Sequence, residues 1–151
     1  MEKIFFYDTP VGKICIGEEN GCITHVTWTK IPKEYVLEET ELIQSCKKQL
    51  EEYFAGKRKA FDLPLAPKGT AFQQKVWKAL TEIPYGETRT YGEIAAAVGN
   101  PKGARAVGMA NNKNPIGIII PCHRVVGANG KLVGYAGGME KKAFLLELER
   151  K

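Results

Sequence analysis

A chain of 151 residues and 16.7 kDa has room for one domain or for two small ones sharing a core, which excludes a large multidomain assembly. With 44% hydrophobic and 26% charged residues it has the apolar content of a packed fold rather than of a disordered tail. The net charge of +5 is unevenly spread: residues 1–67 carry 9 Lys+Arg against 11 Asp+Glu, residues 68–151 carry 13 against 6, and 68–138 alone hold 9 against 3. A polyanionic partner, nucleic acid foremost, is therefore expected on the C-terminal part, where a merely solvated basic face is the plainer alternative.

The longest uncharged apolar segment, Ile116 to Pro121, is far short of a membrane span, and residues 1–20 contain no signal-peptide core. A cytoplasmic protein is expected, with Cys15, Cys22, Cys46 and Cys122 as free thiols because none is paired in a C-x-x-C motif. Cys15, Cys22 and His25 could be read as three metal ligands, but a fourth is not evident nearby, and no metal or other cofactor is expected.

The first 29 residues read as an antiparallel meander, with strands at Ile4–Tyr7, Gly12–Gly17 and Cys22–Trp28 and a hairpin turn at Asn20-Gly21. A helix is expected from about Thr40 to Phe54, with Leu42, Cys46, Leu50 and Tyr53 on one stripe and Gly56 as its stop. Gly56 to Gly69, with two prolines and no helical period, reads as a linker that divides the chain into an N-terminal α/β part, 1–67, and a C-terminal part, 68–151.

Thr70-x-x-Gln73 is a capping box ahead of a helix carrying Phe72, Val76, Ala79 and Ile83 and ended by Pro84. Thr90-x-x-Glu93 opens a second, short helix that stops at Gly99. Asn100 and Pro101 read as N-cap and first residue of a third, running to about Asn111. Two short helices joined by a tight turn have the pattern of a helix-turn-helix, which ordinary helical hairpins share. "IGIII" reads as a buried strand, and Val125-Val126 and Leu132-Val133 around Asn129-Gly130 as a hairpin, which would make the module winged. A glycine-rich connector, Gly134 to Gly138, leads to a closing helix, Met139 to Lys151. The fold class is α+β: a small N-terminal sheet and helix domain followed by a C-terminal winged helix-turn-helix domain.

Cys122 and His123 follow Pro121 and precede Arg124. A thiolate becomes nucleophilic when a base or a positive charge lies close, and His123 and Arg124 can supply either. Neighbours on an extended chain point to opposite faces, so cooperation between Cys122 and His123 needs a turn or a water relay. A buried, inert cysteine beside a hydrogen-bonded core histidine is the other reading of the same residues.

"NPIGIIIPCHRVVGANGKLVGYAGGMEKKAFLLELE", together with "PYGETRTYGEIAAAVGNPKGARAVGMA", resembles the O6-alkylguanine-DNA alkyltransferases, or methylated-DNA-protein-cysteine methyltransferases. The match runs from about Gly69 to Glu149 and includes the family's P-C-H-R-V core, and the meander fits the family's ribonuclease-H-like first domain. The resemblance implies that Cys122 accepts the alkyl group, that His123 removes its proton through a water, and that Glu149 orients His123. Asn114 would brace the active-site turn, and Tyr91 would hydrogen-bond the leaving guanine. Val125, Tyr135, Ala136 and Gly137 would line the guanine pocket, with Ala136 standing where relatives often have serine.

Arg105 would be the arginine finger that fills the gap left by a flipped nucleotide. Gly103, Ala104, Ala106 and Gly108 would let the helix approach the minor groove of double-stranded DNA containing O6-alkylguanine, with O4-alkylthymine a second candidate substrate. The resemblance thus implies single-turnover DNA repair by a monomer with no obligate protein partner. A catalytically inert lesion sensor on the same scaffold would lack the cysteine, and a Cys-His hydrolase would need an oxyanion-hole motif that the sequence does not display.

Overall fold

The computed structural model describes residues 1–135 and 137–151. Strands β1 (Lys3–Thr9), β2 (Gly12–Glu19) and β3 (Cys22–Thr27) form the antiparallel meander. Asn20 and Gly21 between β2 and β3 both take positive φ, 53° and 78°, as a two-residue hairpin turn matched to strand twist requires. The free edge of β1 receives a two-residue parallel strand, β4 (Val36–Leu37), so the order is β3-β2-β1-β4. That strand is too short for periodicity to announce it.

Helix α1 (Glu41–Phe54) is N-capped by the Thr40 hydroxyl, which accepts from the Ile43 N–H, and buries Ile43, Cys46, Leu50 and Tyr53. Leu42, expected on that stripe, lies at its margin. Residues 56–69 are not a free linker. The Ile23 N–H donates to the Pro64 carbonyl at 2.8 Å and the Ala66 N–H to the Ile23 carbonyl at 2.9 Å, so the segment docks on the outer edge of β3. A proline keeps its carbonyl although it lacks an N–H, and can therefore close an otherwise open strand edge. Phe61, Leu63 and Leu65 pack from there onto the core.

The C-terminal part holds α2 (Ala71–Thr81), α3 (Tyr91–Ala97), α4 (Ala104–Asn112) and α5 (Met139–Glu149), and both capping boxes are complete. Helix α4 begins later than expected. Gly99 at φ 82° ends α3, and residues 100–103 then reverse the chain, with the Gly103 N–H donating to the Asn100 carbonyl. Gly103, not Asn100, is the N-cap, and Pro101 lies in the turn.

The isoleucine run is not a strand either. Only Ile116 makes a bridge, to Val26; Ile118 has φ 69°, and the remainder is turns. Its β-branched composition reflects burial, since Ile116, Ile118 and Ile120 plug the core between the sheet and the helices. The expected hairpin is also replaced. Strand β6 (Val125–Val126) pairs in parallel with β5 (Arg89–Thr90), whereas Leu132 and Val133 are exposed and belong to no strand. The Gly127 N–H to Lys131 carbonyl and Gly130 N–H to Gly127 carbonyl bonds close the Asn129-Gly130 turn, and the wing is a loop.

One hydrophobic core crosses both parts, joining Ile14, Ile23 and Tyr53 to Val76, Trp77 and Leu145. His25 is paired with Glu2 and Cys15 is enclosed in the sheet's core, and among the described residues no group of three or more His, Cys, Asp or Glu is placed to hold a metal. Nor, among them, is any helix long and apolar enough to cross a membrane.

Candidate active site

Pro121 ends the isoleucine loop, and Cys122–Arg124 form a short 3-10 turn. Asn114 holds the loop in shape: its amide donates to the carbonyls of Ile116 (3.2 Å) and Ile120 (2.9 Å), and its oxygen accepts from the Ile116 N–H at 3.0 Å. From behind, the Asn111 amide donates to the Cys122 carbonyl at 3.3 Å. The turn supplies the local reversal that an extended chain at Cys122 would lack, and it sends His123 into the core toward α5.

Glu149, in the last turn of α5, is 4% exposed, whereas its neighbour Glu147 faces solvent. Its carboxylate lies 2.6 Å from His123 Nε2 and accepts from Arg124 Nε at 2.8 Å, Arg124 Nη2 at 3.1 Å and the Tyr53 hydroxyl at 2.5 Å. Burial alone would raise its pKa, but these bonds prevail and hold it at about 2. An ionised Glu149 only accepts, so the His123 proton sits on Nε2 and the Nδ1 lone pair is free. That Nδ1 is buried and has no hydrogen-bond partner among the described residues. Burial also keeps the imidazole below its ordinary 6.5, against the pull of Glu149, so it is neutral at pH 7. Arg124, whose sequence position suggested a charge for the thiol, is instead saturated by Glu149 and the Ile83 carbonyl.

Cys122 itself is 5% exposed. Burial pushes its thiol up, while the Asn114 amide, the Tyr135 hydroxyl and the Lys142 ammonium pull it down. Lys142 carried no signal in the sequence beyond a lysine on a closing helix, yet it is fully buried. Its Nζ donates to the Val133 carbonyl at 2.9 Å, and burial brings its pKa down to about 8. The same carbonyl accepts from the Tyr91 hydroxyl at 2.8 Å, so Tyr91, at the start of α3, is tied to the loop that precedes Tyr135. A cavity of about 20 Å³ at the sulfur is bordered by Asn114, Gly117, Tyr135 and Gly137, and also by Trp28 and Lys30 from the stretch after β3. Neither of the last two was singled out from sequence. Val125 is buried one residue beyond the turn and pairs with Arg89; Ala136 lies outside the described residues.

The remaining sequence candidates lie on α4 and its N-cap. Arg105 and Ala106 are exposed, alongside Lys102, Met109 and Lys113, and Ala104 is half-buried. The two glycines have neighbours inside the protein. A Cβ at Gly103 would collide with the Asn100 side chain at 2.3 Å, and one at Gly108 would meet the Tyr91 ring at 3.7 Å. The small size of Gly103 thus serves the turn, whereas a side chain at Gly108 would only touch the Tyr91 ring.

Residues 4–67 match the family model described as 6-O-methylguanine DNA methyltransferase, ribonuclease-like domain, and residues 71–151 match the one described as its DNA binding domain. A methylated-DNA--protein-cysteine methyltransferase of Methanosarcina acetivorans is 56% identical over 150 residues, covering 95% of each chain. The constitutive enzyme of that name from Bacillus subtilis is 53% identical, covering 95% of this chain and 92% of its own. Among solved structures, Mycobacterium tuberculosis OGT in complex with DNA superposes with a TM-score of 0.93 at 46% identity, covering 98% of this chain and 92% of that one. Matched in both halves and over nearly its full length, this chain belongs to the 6-O-methylguanine DNA methyltransferase family.

Proposed function

We propose that this protein repairs O6-alkylguanine in double-stranded DNA by moving the alkyl group irreversibly onto Cys122, as a cytoplasmic monomer that needs no cofactor. The observation that carries the reading is the buried chain from Glu149 through His123 to the turn that bears Cys122, set beside a small cavity. Glu149 fixes the tautomer, and His123 Nδ1 takes the thiol proton through a water. The Cys122 thiolate attacks the alkyl carbon in line, the carbon–O6 bond breaks as the carbon–sulfur bond forms, and the guanine, still attached to its strand, departs as an anion that is protonated to neutral guanine. Tyr91 donates to the departing guanine once its bond to the Val133 carbonyl is exchanged for the substrate. Asn114 keeps the turn in place, while Val125, Tyr135, Ala136 and Gly137 hold the base. The thioether product is stable, so each molecule acts once.

A target carbon inside a stacked duplex is out of reach of a buried sulfur, so the nucleotide must be flipped out, at a cost of a few kcal/mol. The exposed face of α4 provides Arg105 for the vacated stack, with Ala104 and Ala106 allowing close approach and Lys102 and Lys113 meeting phosphates. In this division of labour residues 68–151 bind DNA and carry the acceptor, and residues 1–67 support them. Incubation with a duplex carrying O6-methylguanine, followed by peptide mass spectrometry, is expected to add one methyl to the Cys122 peptide and no more than one per protein. Sustained turnover, or transfer that survives in Cys122→Ser, would overturn the assignment.

A further inference from the structure

Trp28 directly follows β3, in the part of the chain without any predicted chemistry, yet it borders the cavity at Cys122. Its ring is held in four ways. It meets the Tyr135 ring edge-on, with centroids 6.1 Å apart and planes at 62°. A Cβ on Gly137 would lie 2.8 Å from it, so that glycine gives way to the indole, and one on Gly117 would touch it at 3.4 Å. Lys141 Nζ lies 5.7 Å above it. The space left at the sulfur is about 20 Å³, whereas a single water needs roughly 10–15 Å³. That space is narrow, and the indole forms one of its sides.

From this packing we infer that Trp28 sets the size of the alkyl group that Cys122 can accept, so that the N-terminal sheet supplies the specificity wall of a site whose chemistry lies in the C-terminal half. The inference rests on the alkyl-transfer reading above. A wall built from a rigid ring that is wedged against Gly137 and packed on Tyr135 cannot yield to a larger group without displacing one of them. Removing the indole opens that side of the cavity while leaving the Cys122, His123 and Glu149 turn untouched.

The test uses the full-length protein and two duplexes identical except for O6-methylguanine or O6-benzylguanine, with single-turnover rates read as mass added to the Cys122 peptide. The ratio of benzyl to methyl rates, compared across variants, cancels the intrinsic reactivity of the two groups. It is expected to rise about tenfold or more in Trp28→Ala, in line with the discrimination a hydrophobic wall achieves against extra carbons. Trp28→Leu and Trp28→Phe should fall in between, in order of side-chain volume, and they preserve the comparison if the alanine variant folds poorly. In Trp28→Ala the benzyl rate should increase while the methyl rate falls with the loss of packing on Tyr135. Both rates falling by the same factor, together with the melting temperature, would reduce Trp28 to a structural residue and overturn the inference. Absence of any methyl on Cys122 in the unaltered protein would instead overturn the alkyl-transfer reading itself.

Discussion

Cys46 and Cys122 are both buried, at 0% and 5% exposure, and their surroundings differ in every other respect. Cys46 lies on the inner stripe of α1 among apolar side chains, and burial alone pushes its thiol up to about 12. Cys122 suffers the same desolvation, but an amide, a hydroxyl and an ammonium oppose it, and a neutral histidine with a free lone pair occupies the next position in the turn. Burial without donors makes a thiol inert. Placing an amide, a hydroxyl and an ammonium beside it opposes that rise, because each favours the thiolate over the thiol.

The largest test of this contrast removes the charge at the centre of the network. Glu149→Gln leaves Arg124 buried without its counter-ion and no longer fixes the His123 tautomer. Alkyl transfer should fall about 100-fold or more, and stability by about 3 kcal/mol. The Glu149 pKa is held at about 2, below its ordinary 4.5, so the carboxylate's contribution is complete above about pH 4.5 and is lost as pH falls toward 2. Urea unfolding should accordingly show a smaller gap between protein and variant at pH 3 than at pH 7. An equal gap at both would place the stabilisation elsewhere.

A smaller effect is expected from Lys142→Met, which keeps the volume and removes the ammonium. Reaction of Cys122 with iodoacetamide at pH 7, followed at its peptide, should slow about tenfold, while Cys46 stays unreactive in both proteins. Because Lys142 titrates near 8, the difference should narrow as pH rises past that value. A difference that persists at pH 9.5 would mean that Lys142 acts by packing alone.

The smallest effect on the chemistry itself should come from Arg105, which lies on the exposed face of α4 outside this network. Arg105→Ala is expected to slow repair of a methylated duplex about tenfold, a fraction of the few kcal/mol that flipping costs, and to change reaction with free O6-methylguanine by less than threefold. Equal losses on both substrates, accompanied by a lower melting temperature, would make Arg105 a structural residue of the helix.

How much of this was legible in the sequence follows the range of each interaction. The capping boxes at Thr70 and Thr90 close within three residues and the Asn20-Gly21 turn within two, so these elements fall where their residues place them. The same local reading fails at Ile116–Ile120, where β-branched residues mark burial by distant partners rather than an extended chain, and at Asn100, where the reversal after Gly99 takes up the residues that resemble a cap. In the site, the adjacency of Cys122 and His123 is visible in one line of sequence. The partners that give them their properties are not: Tyr53 reaches Glu149 across 96 positions, Trp28 and Lys30 arrive from the end of β3, and Lys142 turns inward from the closing helix. No periodicity or spacing encodes such contacts, because they exist only once the sheet and helices have closed on one core and excluded the water that would otherwise screen each charge.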